Sequence, residues 1–175
     1  AGIAIQNARL LQQAQEEIAE RKQAEKELRA SEERFHQLAN NIKEMFWITD
    51  AITGTDLYLS PAYESIWSRP AEVQYRNPQA FIESILPEDR PTVIQTLEIQ
   101  RGGKNTEMEY RIMRPDGSVR WIWDRAFPIF DDTGRVIRLT GIAADITERK
   151  QVETALRERD MLLQESQKIA RLGHY

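Results

Sequence analysis

Apolar residues recur along this chain with two different periods, and the changes of period mark out its elements. Residues 1 to about 42 form a proline-free run of Ala, Leu, Gln, Glu, Lys and Arg, broken only by Gly2. This pattern predicts one long helix. Ala14, Arg21, Leu28 and Phe35 lie seven apart, with Leu11 and Ile18 on the adjoining seam. The heptads predict a dimeric coiled coil, and a loose one, because Arg21, Glu25 and Glu32 interrupt the seam. Glu17–Arg21 and Glu25–Arg29 have the favourable i,i+4 polarity, each worth about 0.2–0.5 kcal/mol. Ser31, followed by Glu32-Glu33-Arg34, is expected to cap a new turn where this connector becomes the first helix of a domain.

The period then shortens. Met45 to Thr49 reads as a strand, Asp50 to Asp56 with Gly54 as a turn, and Leu57 to Leu59 as a second strand. Ser60-Pro61 opens a short helix carrying Tyr63, Ile66 and Trp67, and Arg69-Pro70 ends it. Asn77-Pro78 opens another, with Phe81, Ile82 and Ile85. A longer helix follows from Pro87 to Arg101, with Val93, Ile94 and Leu97 inward, and Gly102-Gly103 stops it. Three long strands are predicted next, Thr106–Met113, Val119–Phe130 and Arg135–Ile146. They are separated by the turns Arg114-Pro115-Asp116-Gly117-Ser118 and Asp131-Asp132-Thr133-Gly134. From Thr147 to about Ala170 the pattern is helical again.

In the middle strand Val119, Trp121 and Trp123 alternate on one side, with Ile122 and Ala126 on the other. A strand apolar on both faces needs both covered. The short helices are expected to cover one face, leaving the other to a flanking helix or a partner subunit.

One charged phrase occurs twice, Glu20-Arg21-Lys22-Gln23 returning as Glu148-Arg149-Lys150-Gln151 about one small domain further on. The repeat divides the chain into a connector (1–30), a domain (31–147) and an output helix (148–175).

Composition narrows the chemistry. Hydrophobic residues make up 41% and charged residues 30%, with a formal net charge of −4 and both signs interspersed. Neither a nucleic-acid patch nor membrane contact is expected. There is no cysteine, which removes disulfides, thiolate catalysis and cysteine-ligated metal and suits a cytoplasmic location. His36 and His174 are the two imidazoles, too far apart for a zinc site. Pro87-Glu88-Asp89-Arg90 reads as acidic residues that offset a helix dipole and cap free N–H groups. No phosphate loop or nucleophile–base motif occurs, so no catalytic residue is assigned.

Four phrases, taken in order, carry a family resemblance: Tyr58-Leu59-Ser60-Pro61-Ala62-Tyr63, then Pro87-Glu88-Asp89-Arg90, then Tyr110-Arg111-Ile112 with Pro115-Asp116-Gly117-Ser118, and Gly141-Ile142-Ala143-Ala144-Asp145-Ile146-Thr147. Over residues 31 to 150 the chain resembles a PAS sensor domain with its C-terminal PAC motif. The resemblance implies an α+β fold: a five-stranded antiparallel sheet with short helices on one face, flanked by long helices. It also implies homodimers and intracellular signalling. Residues 1–10 look like the last helix of a GAF domain, and Leu163 to Gly173 like the opening of another PAS domain. Together they suggest a GAF–PAS–PAS array of a bacterial sensor histidine kinase. The fragment itself is not expected to be an enzyme.

Haem-binding relatives would place a histidine on the long helix, where none stands, and covalent flavin or cinnamoyl pigments would need cysteine. No cofactor is predicted; the resemblance leaves open a non-covalent flavin or small metabolite. Phe46, Ile48, Tyr58, Ile66, Tyr110, Ile112 and Ile142 are the residues expected to line a pocket. Asp145, Ile146 and Thr147 form the expected signal-coupling junction, with Thr147 as N-cap and a basic side chain, Arg125 being one candidate, as the partner of Asp145.

Overall fold

In the computed structural model, described over residues 1–172, the chain forms eleven elements. They are α1 (Gly2–Asn41), β1 (Met45–Asp50), β2 (Asp56–Leu59), α2 (Ala62–Trp67), α3 (Ala71–Arg76), α4 (Ala80–Ser84), α5 (Arg90–Arg101), β3 (Thr106–Met113), β4 (Val119–Phe130), β5 (Val136–Asp145) and α6 (Thr147–Leu172). His174 and Gly173, the last residue of the phrase expected to open a following PAS domain, lie outside the described residues. The chain divides into two compact units, Ala1–Asn41 and Ile42–Tyr175.

The first unit is α1. It runs unbroken through Ser31, so no new turn begins there. Its apolar seam faces solvent, with Leu11, Ile18, Leu28 and Phe35 all at least half exposed. Arg21 pairs with Glu25 at 3.6 Å, in place of the expected Glu17–Arg21 and Glu25–Arg29 contacts. In the second copy of the phrase, the equivalent Arg149 pairs with Glu153 at 3.7 Å.

The second unit is built on a five-stranded antiparallel sheet ordered β2-β1-β5-β4-β3. Gly117 and Gly134, both at positive φ, close the two meander turns. Four short helices cover one face. Beneath them Tyr63, Ile66, Trp67, Ile85, Val93, Tyr110, Ile112 and Ile122 are fully or almost fully buried, each large side chain stabilising the fold by about 1.5–3 kcal/mol. The cross-strand pairs settle the faces. Trp47, Gly141 and Ala126 share the inner face, as do Met45, Ala143 and Asp124. Phe46, Ile142 and Arg125 share the outer face, which also carries Trp121 and Trp123.

Two expectations about the helices are corrected. The segment Ala71–Arg76 is a helix although no apolar stripe announces it, because its buried residue is the polar Gln74 while Val73 and Tyr75 are exposed. Asp89 does not cap α5 with its side chain. Its carboxylate instead accepts from the backbone N–H of Arg111 at 2.8 Å and from two nitrogens of the Arg111 guanidinium at 2.9 and 2.6 Å. This latch ties the start of α5 to β3 and holds the Asp89 carboxyl below its ordinary range.

Candidate functional site

The junction between β5 and α6 is assembled from short-range hydrogen bonds. The N–H of Ile146 donates to the carbonyl of Trp121 at 2.8 Å, and the carbonyl of Ile146 accepts the first helical bond, from Lys150, at 3.0 Å. Ile146 therefore occupies the N-cap position that the sequence assigns to Thr147. Asp145 Oδ1 accepts both the N–H and the hydroxyl of Thr147. The Thr147 oxygen in turn accepts the N–H of Trp121 at 2.9 Å. Asp145 caps the helix, and Thr147 fastens it to β4.

The expected basic partner of Asp145 is also corrected. Arg114 and Arg120 stand 3.7 and 4.0 Å from Asp145 Oδ2. Arg125 projects from the other face of β4, where it lies 4.3 Å from the centroid of the Trp123 ring. Asp145 pairs in register with the inward Ile122, and Arg125 with the outward Ile142, so the strand's alternation keeps the two apart.

Arg114 extends the junction into the helical layer. Its guanidinium donates to the carbonyls of Ile66 at 2.7 Å and Ser65 at 3.0 Å, in the last turn of α2. On the outer face, Glu109 of β3 takes ion pairs from Arg149 and Lys150. The Lys150 ammonium lies 4.9 Å from the Trp121 ring centroid. The first turn of α6 is thus held from three sides. Further along, the α6 residues Val152, Leu156 and Leu163 are all more than half exposed.

Between sheet and short helices lies a cavity of about 210 Å³. Met45, Trp47 and Leu59 line it from the sheet, Tyr63 and Trp67 from α2, Phe81 from α4, Gln100 from α5, and Tyr110 and Asp124 from β3 and β4. Tyr63 and Trp67 stack at 5.1 Å between centroids. The Tyr110 hydroxyl donates to Asp124 at 3.3 Å. Burial pushes the Asp124 carboxyl up to about 7 and the Tyr110 phenol well above its ordinary value.

Of the seven residues expected to line the pocket, Tyr110 does so. Ile66 and Ile112 are buried in the core beside it. Phe46, Ile48, Tyr58 and Ile142 belong to the outer face. No motif marks Asp124 or Gln100 in the sequence, although both line the cavity. Asp124 sits in phase with the inward Ile122 and Ala126, and that placement is a legible signal of a buried carboxyl. Among the described residues there is no cluster of His, Cys, Asp and Glu fit to hold a metal ion. No helix among them is long and apolar enough to cross a membrane.

Comparison with known proteins agrees with this architecture. A blue-light-activated histidine kinase of Brucella anthropi is 36% identical over 109 residues, covering 62% of this chain and 21% of that protein. The sensor protein FixL of Bradyrhizobium diazoefficiens is 35% identical over 81 residues, 46% of this chain and 16% of that one. The chain therefore spans about a fifth or less of the curated relatives it matches. The crystal structure of a sensory box histidine kinase/response regulator from Burkholderia thailandensis superposes with a TM-score of 0.60 at 28% identity, covering 75% of this chain and 98% of that one. A profile of the PAS fold matches residues 56–143, half of the chain. With its sheet order, its helical layer and this match, the chain belongs to the PAS fold family.

Proposed function

We propose that this chain is a cytoplasmic signal-relay module that dimerises through α1 and α6 and passes conformational change to a downstream histidine kinase in a phosphorelay. Its neighbours in the longer protein would be GAF, PAS and kinase domains. The observation that carries this reading is the line of polar contacts from α2 through Arg114 and Asp145 to the first turn of α6. Tyr63 and Trp67 of α2 face the cavity, so a shift of α2 moves the carbonyls that hold Arg114. The capping carboxylate then moves with it. Beyond its first turns α6 carries exposed leucines one heptad apart, Leu156 and Leu163, which a second copy would cover. The two signalling arrangements would be alternative pairings or rotations of those helices.

The test is Asp145→Ala in the full-length protein. A changed basal autophosphorylation, or loss of its response to stimulus, supports the relay. Unchanged activity and unchanged response remove it.

A second reading, ligand sensing, is favoured by the polar atoms that the cavity leaves without partners. A non-covalent flavin or a small metabolite would be held there and would act on the same line of contacts. Release of a small molecule on denaturing the purified protein would support this reading.

A further inference from the structure

Two buried acceptor oxygens on residues lining the same cavity, Gln100 Oε1 and Asp124 Oδ1, lack a full hydrogen bond within the protein; the Trp47 indole N–H, the third such buried atom there, lies close enough to Asp124 to favour its ionised form. Gln100 is 0% exposed and Asp124 5%. Leaving such atoms unmatched costs about 1–3 kcal/mol each. Gln100 spends its amide nitrogen on Thr106 at 2.7 Å, which leaves its oxygen as a fixed acceptor. Thr106 and Asp124 are diagonal neighbours on the inner face of β3 and β4, so the two free acceptors fall within the span of one small molecule.

The surroundings set the ligand's charge. Among the described residues no lysine or arginine acts on Asp124; burial dominates, opposed by the Tyr110 hydroxyl and the nearby Trp47 indole. The other charged or titratable groups lining the cavity are Asp50, Asp56, Tyr63, Arg101 and Tyr110. Asp56 is engaged by Thr49 and Gln74, and Asp50 by the backbone of its own turn. Three carboxyl groups line the cavity against the Arg101 guanidinium, with Arg69 behind the lining on Tyr63 and Gln74, a balance that still favours a cation. Trp47, Trp67 and Tyr110 add aromatic rings to the lining, of the kind that attract a cation, whereas the Tyr63 ring is already stacked on Trp67 and holds the Arg69 guanidinium 5.6 Å from its centroid.

Size sets the rest. A volume of about 210 Å³ exceeds the roughly 150 Å³ that admits benzene and falls below the roughly 300–1,000 Å³ of drug-sized sites. One ring with a short side arm fits this range.

We propose that this cavity is a binding site for a small aromatic or cyclic amine, whose ammonium group donates to Asp124 Oδ1 and Gln100 Oε1 inside the aromatic wall. The proposal rests on the ligand-sensing reading and narrows it to one chemical class. Because the ammonium supplies the counter-charge that Asp124 lacks, the ionised carboxylate is the binding form.

The test is an NMR titration of the 175-residue chain with benzylamine, 2-phenylethylamine, benzyl alcohol and benzoate, repeated in Asp124→Asn and Gln100→Leu. Circular dichroism would confirm that both variants are folded. The amines should bind at least tenfold more tightly than benzyl alcohol. They should lose that margin in Asp124→Asn, weaken in Gln100→Leu, and bind about tenfold less tightly at pH 6 than at pH 8. Equal binding of amine and alcohol, or preference for benzoate, would overturn the amine assignment and leave the cavity a ligand site. Failure of all four to perturb residues lining the cavity would overturn both.

Discussion

The Thr147 hydroxyl accepts the backbone N–H of Trp121 at 2.9 Å, so one side chain joins the first residue of α6 to the start of β4. Thr147→Val keeps the shape and deletes the acceptor, leaving that N–H without its partner. The expected loss is about 1–2 kcal/mol. Amide exchange at Trp121 and Ile146 should rise roughly tenfold, the equivalent of about 1.4 kcal/mol. Exchange confined to wild-type rates would show that the hydroxyl is dispensable.

Asp89 and Arg111 test the latch between α5 and β3. Asp89→Ala removes a charge-assisted bidentate pair and also strips the Arg111 N–H of its acceptor. Because the pair is partly exposed, the loss should be moderate, about 1–2 kcal/mol in urea unfolding. Asp89→Asn should recover part of it, since the amide oxygen still accepts from the backbone. If Asp89 acted only through the helix dipole, Asp89→Ala would fall by no more than the few tenths of a kcal/mol typical of an exposed terminus.

Gly141 is the place on β5 that lets Trp47 lie across the inner face. A Cβ there would overlap the Trp47 indole and the carbonyl of Arg125. Gly141→Ala should destabilise the domain by about 1–3 kcal/mol through overpacking and shift tryptophan emission as the indole is displaced. A stable variant with unchanged emission would contradict this packing.

These residues also show where sequence reasoning stopped. The turns at Gly117 and Gly134 and the alternation of β3 make the meander legible, and the alternation of β4 sets Trp121 and Trp123 on the face opposite Ile122 and Ala126. Phe46, Trp47 and Ile48 are consecutive apolar residues, so period two does not choose their faces, and the expected pocket takes the outward parity on β1, β2 and β5 while Tyr110 and Ile112 of β3 have the inward one. Gly141, a bare position in a strand, was the one local mark of the inner face. The partners of Asp89 and Asp145 were hidden for another reason. Local spacing makes Asp89 a cap and singles out no arginine for Asp145; Arg111 of β3 takes the first carboxylate, and Arg114 of the turn after β3, with Arg120 of β4, approaches the second.

The pH dependence of stability should bear the mark of Asp124. Its carboxyl ordinarily titrates near 3.8 and is held at about 7 by burial. Between those values the folded chain keeps a proton that the unfolded chain has lost. Stability therefore falls as pH rises from about 4 to about 7, by at most about 4 kcal/mol, and is level above. Asp50, Asp89, Asp116 and Asp131 are shifted the other way, so their contribution is lost only as pH falls below about 4. Asp124→Asn should flatten the upper window and leave the lower one, as read by urea midpoints from pH 3 to 9. An unchanged slope between pH 5 and 7 would show that another group titrates there.

The relay itself is tested most directly by a distance across the dimer. The chain has no cysteine, so Glu158→Cys gives one nitroxide site per protomer on α6, beyond the turns held by Glu109. Double electron–electron resonance is then compared between that protein and its Asp145→Ala derivative. The account predicts a defined distance between protomers, displaced by several ångström when the cap and its link to Arg114 are removed. Two superimposable distributions, or a protein that stays monomeric, would contradict it.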